Sequence, residues 1–83
     1  MSNAWTWTPM NDLVRGVVST EATQRGLRLT VVSTPAFTSW FVFAGETMLH
    51  VQNETASLED CQRAAEAWAG RFMEGRAAST TTL

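Results

Sequence analysis

Residues 57–75 read Ser57-Leu58-Glu59-Asp60-Cys61-Gln62-Arg63-Ala64-Ala65-Glu66-Ala67-Trp68-Ala69-Gly70-Arg71-Phe72-Met73-Glu74-Gly75, and this stretch decides the fold. Leu58, Cys61, Ala65, Trp68 and Phe72 recur at spacings of three and four, which puts all five on one face of a 3.6-residue period. Ser57 ahead of them is a natural N-cap, because its hydroxyl can accept from an N–H that the first helical turn leaves unpaired, and Asp60 makes a short version of the capping box. Glu59 and Asp60 sit at the positive end of the helix dipole and Arg71 in the last turn. Gly75 offers the left-handed residue that ends a helix. The spacing predicts a helix over 58–74, and Ala64, Ala65, Ala67 and Ala69 keep that side thin enough for close approach to a neighbour.

An amphipathic helix needs a surface to cover, and the residues before it supply one. Trp40 to Ala44 and Met48 to Gln52 are aromatic and β-branched runs joined through Gly45-Glu46-Thr47, which reads as a hairpin. Leu27, Leu29 and Val31 alternate with Arg28 and Thr30, the pattern of a strand with one buried and one wet face, and Ser33-Thr34-Pro35 ends it. Residues 9–20 admit two readings. Pro9 with Asn11-Asp12 opens a short helix, whereas the β-branched content of 13–20 and the internal Gly16 favour a strand, the preferred choice. The fold class expected is therefore α+β: a small antiparallel sheet of three or four strands with one C-terminal helix packed on one face. Residues 1–75 form the domain, and the Ser/Thr/Ala-rich residues 76–83 read as a flexible tail.

At 83 residues there is room for one core, since a chain this short buries only roughly 60% of its unfolded surface. The longest apolar run, residues 40–44, falls far short of the roughly 20 needed to cross a bilayer. No basic-then-apolar leader opens the sequence, so a cytoplasmic location is expected. Ser2-Asn3-Ala4 fits the scar of a removed expression tag as well as a native start. All six basic residues are arginines, and the net charge of −2 is uneven: residues 1–45 carry +1 and residues 46–83 carry −3. Neither half has the basic stripe that duplex binding requires.

The residues that could carry chemistry do not assemble into a motif. Cys61 is the sole cysteine, so no internal disulfide or thiolate-rich metal site is available. With His50 it could form a nucleophilic dyad only if exposed, but it falls in the apolar stripe, where cysteine behaves as a small hydrophobe. Glu59, Asp60, Glu66 and Glu74 lie mostly off that stripe, and Glu59 is placed to pair with Arg63 at i, i+4. The five glycines match no phosphate-binding fingerprint. Asn53-Glu54-Thr55 matches the glycosylation triplet, and reads more simply as a turn into the helix. No catalytic residue, metal or cofactor is expected, and the chain is expected not to be an enzyme.

One feature is anomalous for a sheet covered on a single side. In Trp40-Phe41-Val42-Phe43, Trp40 and Val42 point one way and Phe41 and Phe43 the other, so both faces are apolar. Either residues 5–20, with Trp5 and Trp7, fold back over the second face, or residues 40–43 form part of a partner or homodimer surface. The series Leu27-Arg28-Leu29-Thr30-Val31, the Trp40 strand, and Ser57-Leu58-Glu59-Asp60 leading to Ala64-Ala65-Glu66-Ala67-Trp68 resembles the compact sheet-plus-helix proteins of phages and prophages, some anti-CRISPR proteins among them. The resemblance spans residues 27–72 and concerns element types; it carries no functional motif and transfers no binding residue.

The function expected is a non-enzymatic protein-binding module, in one form a mobile-element inhibitor that occludes a partner protein, with Trp40, Phe41, Val42 and Phe43 as the candidate surface. A homodimer is expected, with residues 40–43 in or beside the interface. The alternatives are a nucleic-acid contact protein using Arg15, Arg25, Arg28 and sheet aromatics, against which the acidic balance weighs, and a structural homodimeric subunit.

Overall fold

The computed structural model describes residues 5–10 and 16–81, with side chains as far as Gly75. In chain order the elements are β1 (Thr8–Pro9), β2 (Val18–Gln24), β3 (Leu27–Ser33), β4 (Thr38–Ala44), β5 (Thr47–Glu54) and α1 (Leu58–Thr81). The strands form one antiparallel meander in the order β1-β2-β3-β4-β5. The architecture is the expected α+β one, with five strands in place of three or four. Two features account for the difference. Arg25 and Gly26 both take positive φ, 52° and 81°, the backbone of a two-residue hairpin turn, so β2 runs straight into β3. Thr8-Pro9 then pairs with Glu21 and Thr20 as a short edge strand rather than opening a helix. Pro9 has no N–H to contribute, which an edge tolerates. Val18–Thr20 are strand, and the helix-or-strand question over 11–15 lies outside the described residues.

Alternation along the strands sorts the sheet into two faces. Leu27, Leu29 and Val31 from β3 and Trp40 and Val42 from β4 are buried beneath α1, together with the helix residues Cys61, Ala65 and Ala69. The expected stripe of Leu58, Cys61, Ala65, Trp68 and Phe72 is thereby rotated. Its centre line is Cys61-Ala65-Ala69, while Leu58, Trp68 and Phe72 flank it partly buried. Small residues at the contact let the helix axis come close to the sheet, and the large side chains then fill the margins.

Local bonds fix where α1 begins. The Asp60 N–H donates to Ser57 Oγ at 3.1 Å and the Cys61 N–H to the Ser57 carbonyl at 3.1 Å, the expected N-cap. Thr38 Oγ1 donates to the Ala56 carbonyl at 2.9 Å and Gln62 Nε2 to Thr20 Oγ1 at 3.0 Å, tying the helix start to β4 and β2. Arg63 pairs with Asp60 at 2.9 Å, i, i+3, where Glu59 was the expected partner. At the other end the helix does not stop at Gly75. It continues to Thr81, and Gly75 is helical rather than left-handed. One glycine costs a helix only about 1 kcal/mol against alanine, which does not terminate it without a left-handed cap. Residues 82–83 lie outside the described part. No helix among the described residues is long and apolar enough to cross a membrane.

Candidate functional site

The N-terminal tryptophans decide which face of the sheet stays open. Trp5 and Trp7 pack against the core beside α1, and Trp7 Nε1 donates to Glu66 Oε2 at 2.6 Å. They therefore flank the helix and do not cover Phe41 and Phe43; residues 11–15 of the 5–20 stretch expected to fold over the second face lie outside the described residues. An indole needs a partner for its N–H when buried, and the helix carboxylate supplies one. Among the described residues, α1 is the one element stacked on the sheet, and it occupies the opposite face.

The candidate surface narrows accordingly. Trp40 and Val42, 3% and 0% exposed, belong to the core and offer nothing to a partner. Phe41 and Phe43 point to the open face, their rings 6.2 Å apart between centroids. Cross-strand register sets two rows across that face: Glu21, Thr30, Phe41 and Val51, then Thr23, Arg28, Phe43 and Met48. Met48 and Val51, 49% and 48% exposed, extend the apolar area onto β5. In both rows the polar residues stand on β2 and β3 and the apolar ones on β4 and β5, whereas the next row, Ser19, Val32, Ser39 and Asn53, is polar on β4 and β5.

Arg28 marks the boundary between the polar and apolar halves. Its guanidinium carbon lies 4.6 Å from the Phe43 ring centroid, a cation–π contact, and its Nε lies 3.6 Å from Glu21 Oε2. Arg25 is elsewhere: it stands at the β2–β3 turn and lines an open groove with Trp5, Arg63 and Glu66 on the helix side. Arg15 lies outside the described residues. Of the two described arginines expected to meet phosphates, Arg28 lies beside a sheet aromatic and Arg25 does not.

His50 and Cys61 serve separate surroundings. The His50 ring sits between Trp40 and Trp68, 4.8 and 5.3 Å between centroids, and Trp68 in turn stacks on Phe72 at 5.4 Å. Its Nε2 lies 3.1 Å from Gln52 Oε1. Cys61 is 1% exposed under the sheet. Burial pushes its thiol pKa up, with the nearby Glu54 and Asp60 charges adding to the effect, the reverse of what a nucleophilic cysteine needs. No three His, Cys, Asp or Glu side chains among the described residues come together as a metal site.

Sequence reasoning did not find Arg28, Met48 and Val51 as members of one surface. The Arg28 partnership was legible only in its spacing within β3, since register against β4 is what sets it over Phe43. No protein family, curated protein or solved structure matches the chain.

Proposed function

We propose that this protein is a non-enzymatic binding module that docks a protein partner on the open face of its sheet. The supporting observation is the cluster Phe41, Phe43, Met48 and Val51, four apolar side chains on a face that no described element covers, bordered by Arg28 over Phe43. Aromatic anchors with an adjacent arginine are the residue types that dominate binding energy at protein interfaces. Contiguous exposed apolar area is otherwise a liability for a small domain. Occlusion of a partner's surface, the mode of a mobile-element inhibitor, is the specific form of this reading that suits the resemblance of residues 27–72. In the same reading, His50 and Cys61 are packing residues.

The test uses the parent and a Phe41→Thr/Phe43→Thr double variant as baits in the source cell. Threonine keeps the strand preference of those positions, so the variant should melt cooperatively while losing a partner that the parent captures. A folded variant that retains the same partner rejects the open face. Titration with single- and double-stranded DNA at two salt concentrations covers the competing reading. Tight, steeply salt-dependent binding would replace protein docking with nucleic-acid contact.

A further inference from the structure

We infer that the outer edge of β5 pairs antiparallel with β5 of a second copy of this chain, about a two-fold axis passing through Gln52. The inference stands independently of what docks on the open face.

The two edges of the sheet are unlike. At one side β1 is two residues long and carries Pro9, both of which discourage further pairing. At the other, β5 is eight residues long and contains neither lysine nor proline. Its one irregularity is the bulge that leaves Leu49 unmatched, since Val42 pairs with His50 and Phe43 with Met48. A bulge twists the strand locally, so it protects the first part of the edge and leaves residues 50–54 regular.

The register follows from the side chains. On the helix-side face, His50, Gln52 and Glu54 form a bonded line: His50 Nε2 to Gln52 Oε1 at 3.1 Å, and Gln52 Nε2 to Glu54 Oε2 at 2.8 Å. One end is an imidazole and the other a carboxylate, whose Oε2 also accepts from Trp40 Nε1 at 2.8 Å. A reversed copy centred on Gln52 sets His50 opposite Glu54 of the partner subunit, Glu54 opposite the partner's His50, and Gln52 opposite itself. Directly opposite residues of an antiparallel pair share a face, so this register sets polar against polar at every helix-side position: imidazole against carboxylate at both ends and amide against amide at the centre. Neighbouring registers lose this match. Centring on Val51 sets Glu54 against Met48 across the bulge, and centring on Asn53 carries His50 past the paired stretch. An axis midway between two residues would oppose the two faces of the strand.

Apolar mass leans toward the same edge on both faces. The open face ends in Met48 and Val51 on β5, while on the other face the Trp40-His50-Trp68-Phe72 stack reaches β5 through His50. A two-fold axis perpendicular to the sheet keeps the two helices on one side and, on the open face, sets Val51 opposite Asn53 of the partner subunit.

Sedimentation over a dilution series tests this with the parent, Gln52→Lys, Gln52→Glu and an equal mixture of the two variants, each verified by a cooperative melt. The parent should run at twice the chain mass, each variant alone should dissociate at least tenfold more readily, and the mixture should recover the dimer. Recovery requires position 52 to face itself. Should either variant fail to melt cooperatively, Val51→Lys, exposed on the same edge, takes its place. A parent at single-chain mass at the highest concentration overturns the inference. So does a dimer that survives the edge substitutions but dissociates in the Phe41→Thr/Phe43→Thr variant.

Discussion

The Trp7 indole N–H donates to the Glu66 carboxylate at 2.6 Å across 59 residues of sequence, and this bond holds the N-terminal segment beside α1. Hydrogen bonds to charged acceptors contribute about 1.5–3 kcal/mol when well shielded. Trp7 and Glu66 are only partly buried, so the expectation is about 1–2 kcal/mol. Trp7→Phe and Glu66→Gln should each lower stability, and the double variant should lose less than the sum. A double-mutant cycle in denaturant measures the coupling. Additive losses would mean that the segment is held by apolar packing alone.

The close approach of α1 makes alanine the sensitive position on the helix. Ala69 is 0% exposed, and Ala69→Leu must push the helix off β3 and β4, at a cost of about 1–3 kcal/mol or more. Trp68→Ala removes a larger side chain from a partly buried position, so its cost should fall to about 2–3 kcal/mol, below the roughly 3–5 kcal/mol of wholly buried tryptophans. Chemical denaturation compares the two. An Ala69→Leu variant as stable as the parent would show that the helix does not lie so close.

Two groups give the stability a defined pH dependence. The Asp60 carboxyl is held below its ordinary value by its bond from Arg63 first and its bond with Ser57 second. Its contribution is present above the ordinary carboxylate range and is lost as pH falls through the lower folded value. Cys61 acts at the other limb: its thiol is raised by burial, so its contribution is present below the ordinary thiol value and is lost as pH rises through the raised one. Asp60→Asn should flatten the acid limb of stability against pH, and Cys61→Ala the alkaline limb. In the parent, a thiol reagent at neutral pH should react with Cys61 only at the rate of unfolding. Immediate reaction in the native state would contradict its burial.

The sequence by itself determined the elements whose signals are local. The Ser57 cap and the spacing of Cys61 and Ala65 marked the helix start and its buried face, and alternation in 27–31 and the 40–52 hairpin marked three strands, because caps and periodicity act within a few residues. It also determined that both faces of the Trp40 strand are apolar. What it left open depended on distant contacts. Cys61-Ala65-Ala69 became the centre line because the sheet lies close, a fact of packing that side-chain size conceals. Gly75 failed to end the helix because no left-handed cap formed there, although its residue type allowed one. Trp7 could have covered either side of the sheet, and its bond to Glu66 settled the question. Arg28 met Phe43 through the β3–β4 register, which the turn at 34–37 fixes through the bonds between Thr34 and Phe37. Tertiary structure alone therefore separated Trp40 and Val42 from Phe41 and Phe43, since alternation assigns residues to two faces but only the helix and the N-terminal segment choose which face is buried.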